Sequence, residues 1–133
     1  MMTTTTRAPD ADEDAPELGE LLVQSASNGR DRAAAQALAE EKTLLAHPTL
    51  RATLVVKQNG RMTAAWDRLM GRLYTLGLDD EQRVFLGLVL SMVGIGGVPL
   101  SAVERLDERR LLIMQRAILR LAGNDRIAIG TRI

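Results

Sequence analysis

Few side chains in this sequence have the chemistry of a catalyst or of a metal ligand. The 133 residues include one histidine and no cysteine, which excludes disulfides, thiolate metal sites and cysteine nucleophiles. His47 stands before Pro48 in a predicted loop, and the nearest carboxylate along the chain is Glu41. A lone loop histidine of this kind is usually a surface residue. No spacing marks a nucleophile or a paired acid and base, so we expect no enzyme activity, no metal and no cofactor.

The acidic residues near the start have the spacing of half a calcium loop. Aspartates alternate with other residues from Asp10 to Asp14, but the glycine that such a loop requires next is Ala15. The calcium interpretation is therefore rejected. Because the surrounding residues are polar or charged, we predict a disordered acidic tail over residues 1–15 and a single helical domain over 16–133.

The overall composition excludes several classes of function. The chain is 46% apolar and 26% charged, close to the average for a globular domain, and its 17 basic and 17 acidic residues give no net charge. No excess charge therefore draws it toward nucleic acid or a membrane. Trp66, Tyr74 and Phe85 are the only aromatic residues, too few for the stacking platforms of single-strand or RNA-binding folds.

The longest uncharged segment, residues 84–100, predicts the helix at the centre of the fold. Asp79 and Gln82 form a capping box by sequence, so we expect a central apolar helix at about residues 80–95. The segment is shorter than the roughly 20 apolar residues that a bilayer needs, and glycines and a proline interrupt it. We therefore predict a compact, mainly α bundle of five or six helices around this helix, and no membrane span.

Two segments before the central helix carry secondary-structure signals, the first ambiguous and the second clearly helical. Residues 49–57 fit either a short helix or a strand. As a strand, residues 51–57 could pair with 126–132 in a small two-stranded addition. Apolar residues from Trp66 to Leu73 recur at helical spacing. We therefore expect a helix that starts near Thr63 and ends at Gly77.

The last long helix is the segment that most favours a binding function. Ser101 and Glu104 predict a capping box and a helix that runs to about Ala122. At 100° per residue Arg105, Arg109, Arg116 and Arg120 fall within about 60° of each other, and two leucines lie among them. Arginine with apolar anchors is typical of a partner-facing surface. The candidate partner-binding residues are Arg105, Arg109, Leu112, Arg116, Leu119 and Arg120, and the expected core face is Val103, Leu111, Met114, Ala117, Ile118 and Leu121.

A second interpretation of the same region is DNA binding. Residues 84–110 have the order of a helix-turn-helix motif, with the glycine-rich segment 94–100 as the turn. Against this interpretation, Glu104, Asp107 and Glu108 lie near the start of the second helix, where phosphate contacts should be. The alternative function is therefore a helix-turn-helix DNA-binding regulator.

These observations favour a non-catalytic protein-interaction module that binds through the Arg/Leu face of the last helix. It would be a subunit of a homo-oligomer or of a larger bacterial or phage assembly. We expect a protein partner or self-association, with DNA as the alternative, and no membrane or small-molecule partner. No apolar signal segment follows the first residues, so we expect a cytoplasmic location.

Overall fold

The computed structural model describes residues 17–96 and 98–124. These residues form six α-helices, two short 3-10 helices and one two-stranded sheet. In chain order they are α1 (Leu18–Ser25), α2 (Gly29–Glu41), α3 (Thr43–Ala46), α4 (Pro48–Leu54), β1 (Val55–Gln58), β2 (Arg61–Ala64), a 3-10 helix (Trp66–Leu69), α5 (Asp80–Met92), a second 3-10 helix (Leu100–Arg105) and α6 (Glu108–Leu121). The predicted tail over 1–15 and the segment 126–132 lie outside the described residues.

The mainly α fold around a central apolar helix is confirmed. Helix α5 begins at the predicted capping box, in which Asp79 accepts from the Gln82 backbone and the Gln82 side chain accepts from the Asp79 backbone. Its residues 84–90 are all buried, and it packs against α2, α3, α6 and the second 3-10 helix. The helix ends at Met92, and Gly94 follows with a positive φ of 84°. One continuous apolar cluster surrounds it.

Helices α1 and α2 pack closely because a small residue of each lies at their contact. Helix α1 packs on α2, and Gly19 lies so close to α2 that a Cβ there would be 2.8 Å from the Ala39 Cα. Helix α2 ends at Lys42, whose φ of 72° separates it from the short α3. No helix within residues 17–96 and 98–124 has the length and apolar character to cross a bilayer.

The described residues form a small sheet through a pairing that the sequence did not predict, and the predicted pairing with 126–132 lies outside them. Residues 48–54 are helix α4, and the strand β1 that follows pairs antiparallel with β2, so that Val55 lies opposite Ala64. Asn59 and Gly60, both with positive φ, close this hairpin. A two-residue Asn-Gly turn matches the twist of its own flanking strands, so the adjacent segment pairs first.

The helix predicted from Thr63 to Gly77 is wrong. The hairpin takes residues 61–64, only Trp66–Leu69 form a 3-10 helix, and turns follow. Gly71 has a φ of 74°, a left-handed conformation that ends helical continuation. Trp66 and Leu69 are nevertheless buried as the periodicity indicated.

The last helix starts six residues later than predicted, because its N-cap is Asp107 and not Ser101. Residues 100–105 form a 3-10 helix with no side-chain cap at its start, and the chain is extended again at Leu106. The N-cap of α6 is Asp107, whose carboxylate accepts from the Arg110 backbone N–H at 3.0 Å. Both Ser101 and Asp107 suit a cap by residue type. The structure uses the second because Arg110 must reach a buried partner on α2.

Candidate interaction surfaces

The arginines of the predicted binding face are largely engaged within the protein. Arg109 donates to the Glu40 carbonyl oxygen at 3.4 Å and lies 3.6 Å from the Glu41 carboxylate. Arg120 donates to the Glu40 carboxylate at 2.8 Å. Arg105 belongs to the second 3-10 helix and is exposed. The predicted stripe is therefore divided between two elements, and two of its members hold α6 against α2.

The rest of that face is half-buried, and the buried side of α6 is not the predicted core face. Leu112, Arg116 and Leu119 are each intermediate in exposure. The buried residues of the helix are Arg110, Ile113, Met114 and Ala117. Ile118 and Leu121, expected in the core, are 44% and 40% exposed. Among the other expected core residues, Met114 and Ala117 are buried, Val103 and Leu111 only partly. The buried side is rotated because Arg110 must enter the core.

A polar cluster, formed by the buried Glu41 and Arg110 and the exposed Thr43, explains that rotation. The Glu41 side chain is fully buried, and its carboxylate accepts from Arg110 Nε at 2.9 Å, from the Leu44 backbone N–H at 2.8 Å and from the Thr43 hydroxyl. Arg110 also donates to the Thr43 hydroxyl oxygen at 3.3 Å. The cluster thus links the end of α2, the start of α3 and the start of α6.

Half-exposed residues close the rim of this cluster. Glu81 and Asp107 lie 3.4 Å and 3.3 Å from Arg110 Nη1, and Gln82 donates to Thr43 at 3.1 Å. Every member has a protein partner. The arrangement therefore fastens α2, α3, α5 and α6 together.

The structure does not form the motif behind the DNA-binding alternative. A helix-turn-helix joins two α-helices through a turn of about three or four residues. Here α5 ends at Met92 and α6 begins at Glu108, with a 3-10 helix between them. The residues assigned to a recognition helix from 101 onward therefore do not share one α-helical face.

Among the described residues, three large apolar side chains outside α6 are the most exposed. Tyr74 is 81% exposed, Leu100 71% and Met70 59%. Tyr74 and Leu73 line both of two neighbouring cavities, one of about 380 Å³ and one of about 300 Å³. Met70 lines the smaller cavity, and the residues on both sides of Leu100 line the larger. We call Met70, Leu73, Tyr74 and Leu100 the Tyr74 surface.

The Tyr74 surface is held in position by its flanks. Leu69, Leu76 and Leu78 are buried, so both ends of the loop that carries Tyr74 are anchored in the core. The Arg83 guanidinium lies 4.9 Å from the centre of the Tyr74 ring, a cation–π distance, and Arg83 also donates to the Leu78 carbonyl at 3.2 Å. Among the predicted binding residues, only Arg105 lines a cavity beside this surface.

Sequence reasoning overlooked this surface although one signal was present. Tyr74 stood outside the apolar spacing of Trp66, Leu69, Met70 and Leu73, so it had no place in the expected core. An unassigned aromatic residue before a helix-ending Gly77 indicates an exposed loop. Its closeness to Leu100, far along the chain, could only come from the fold.

Other chemistry is not assembled by the described residues. No group of three or more metal-binding side chains comes together within residues 17–96 and 98–124. His47 has a local structural role, because its Nδ1 accepts from the Leu50 backbone N–H at 3.4 Å and caps α4.

Comparison with known proteins does not place this fold or its surfaces. No protein-family model matches the chain, and neither the curated proteins nor the solved structures give a significant match.

Proposed function

We propose that the protein is a non-catalytic protein-interaction module that binds its partner through the Tyr74 surface. The observation that carries the proposal is the 81% exposure of Tyr74 on a loop anchored at both ends. Burial of an exposed aromatic ring is a main source of binding free energy, and a ring fixed in advance loses little entropy on binding.

The neighbouring residues support the same interpretation. Tyrosine, methionine and arginine are enriched at the centres of protein interfaces, and binding hot spots fill pockets on the partner. The Tyr74 surface supplies the first two, and Arg83 and Arg105 lie at its edge. Its two cavities are large enough to accept apolar side chains of the partner.

The exposed apolar residues of α6 are a second part of the proposed interface. Ile118 and Leu121 are 44% and 40% exposed, and both come from the expected core face and not from the six predicted binding residues. Arg116 lies on the opposite side of the helix at 100° per residue, so it does not belong to this surface. The partner is either a second copy of this chain or another subunit of a larger assembly.

Matched pairs of substitutions distinguish the contributions of the two surfaces to binding. Tyr74→Ser with Leu100→Ser removes the first surface, and Ile118→Ser with Leu121→Ser removes the second. Size-exclusion chromatography with light scattering, at low and high salt and with duplex DNA added, measures self-association and DNA binding. Affinity capture from the source cells, followed by mass spectrometry, measures a different partner.

The expected result is loss of the oligomer, or of one captured protein, in the Tyr74 pair and a smaller loss in the α6 pair. Lys57→Ser, on an exposed strand residue away from both surfaces, should change neither. If both pairs behave as the wild type, or if DNA alone elutes with the protein, the proposed function is wrong.

A further inference from the structure

A separate cavity of about 300 Å³ lies between the α1–α2 corner and the β-hairpin. It shares no lining residue with the cavities beside the Tyr74 surface. Its apolar wall is formed by Leu22, Ala35 and Val56, and its polar lining includes Ser25, Asp31 and Thr63. The buried Trp66 completes the lining. The size is at the lower end of the range for small-molecule sites.

Three polar side chains of this lining, Ser25, Asp31 and Thr63, can accept hydrogen bonds from a ligand. The Ser25 hydroxyl donates to the Leu22 carbonyl at 3.1 Å, and the Thr63 hydroxyl donates to the Val56 carbonyl at 3.2 Å. With their protons engaged, both oxygens offer lone pairs to a ligand. Asp31 is the charged residue of the lining, and it forms no ion pair among the described residues. A donor-rich group of positive charge fits this set.

Trp66 adds an aromatic surface to the lining of this cavity. Its side chain is 7% exposed. An indole ring is the best aromatic surface for a cation.

We propose that this cavity binds the ammonium or guanidinium group of a small aliphatic amine. Asp31 supplies the opposite charge, Ser25 and Thr63 accept further hydrogen bonds, and the apolar wall contacts the alkyl chain. Asp31 also lies in the first turn of α2, where a carboxylate stabilises the helix dipole by itself. That local role predicts no ligand binding, so a titration distinguishes the two explanations.

The test uses Trp66 as its own reporter, because it is the sole tryptophan of the chain. Butylammonium and butylguanidinium are titrated while tryptophan emission is recorded, with butyrate and butanol as matched probes of opposite and zero charge. We expect saturable emission changes with the two cations and none with butyrate. Butanol should bind at least about tenfold more weakly, since a hydrogen bond to a charged group is lost.

Two variants with matched controls locate the binding. Asp31→Asn should weaken cation affinity by about tenfold or more, and Thr63→Val by a smaller factor. Asp67→Asn removes a carboxylate next to Trp66 in sequence but outside the cavity lining, and should leave the affinity unchanged. Circular dichroism checks that each variant is folded. Absence of saturation by either cation, equal binding of butanol, or full affinity in Asp31→Asn would each overturn the proposal.

Discussion

Replacing Glu41 by glutamine should destabilise the protein by about 3–5 kcal/mol, the usual cost of breaking a buried ion pair. The carboxylate is fully buried and accepts from Arg110 Nε, the Leu44 N–H and the Thr43 hydroxyl. An amide keeps one acceptor oxygen, but its NH₂ group would face the donors of Arg110. Each buried partner left unsatisfied costs about 1–3 kcal/mol, so two such losses account for the expected range.

Replacing Arg110, the other member of the ion pair, should destabilise the protein to a similar extent. Replacing both residues together should not. Arg110→Met leaves the Glu41 carboxylate buried, with Arg109 as its nearest cation at 3.6 Å. In Glu41→Gln with Arg110→Met, both charges are removed, and the amide oxygen still accepts from the Leu44 backbone N–H. Such exchanges are often neutral or stabilising by about 1–4 kcal/mol. The double variant should therefore be more stable than either single variant.

Urea unfolding followed by circular dichroism and by Trp66 fluorescence measures these differences. Glu20→Gln, at an exposed position of α1, serves as the control and should change the free energy of unfolding by less than about 0.5 kcal/mol. Single-variant losses below about 1 kcal/mol, or losses that simply add in the double variant, would refute the role assigned to the cluster.

Two further changes test the packing and the weaker ion pair. Gly87→Leu should destabilise the protein by about 1–3 kcal/mol or more in thermal unfolding, because a Cβ there would lie 2.6 Å from a Val98 methyl carbon. Adding Val98→Ala should restore part of the lost stability. The control Gly29→Ala should leave the stability unchanged, since no atom lies within 4 Å of the new Cβ. Glu40→Gln with Arg120→Met should change the free energy of unfolding by less than about 1 kcal/mol, since one buried atom of each side chain already lacks a hydrogen bond among the described residues. A larger loss of stability would show that this ion pair resembles that of Glu41 and Arg110.

The parts of the fold that could be predicted from the sequence depend on local signals. The capping box of Asp79 and Gln82 and the uncharged segment after it are contiguous, and both define α5 as expected. The Asn59–Gly60 turn is also a local signal, but the hairpin around it could not be predicted. The residues before the turn, 49–57, belong to two elements, a helix and then a strand.

The start of the last helix could not be predicted because it depends on a distant residue. Arg110 and Glu41 are 69 positions apart, and their contact determines which side of α6 is buried. A helix-wheel analysis normally assigns a basic residue such as Arg110 to solvent. It therefore assigned the apolar Ile118, and not Arg110, to the core. The candidate site has the same origin, since Tyr74 and the residues on both sides of Leu100 line one cavity only through the packing of the second 3-10 helix on α5.

Site-specific photo-crosslinking in the source cells tests the proposed interface most directly. A photoreactive amino acid is placed in turn at positions 74, 100 and 118, and at the exposed control position 57. The proposed function predicts one discrete crosslinked protein species from positions 74 and 100, a weaker one from 118 and none from 57. Equal crosslinking at all four positions, or none at 74 and 100, would contradict it.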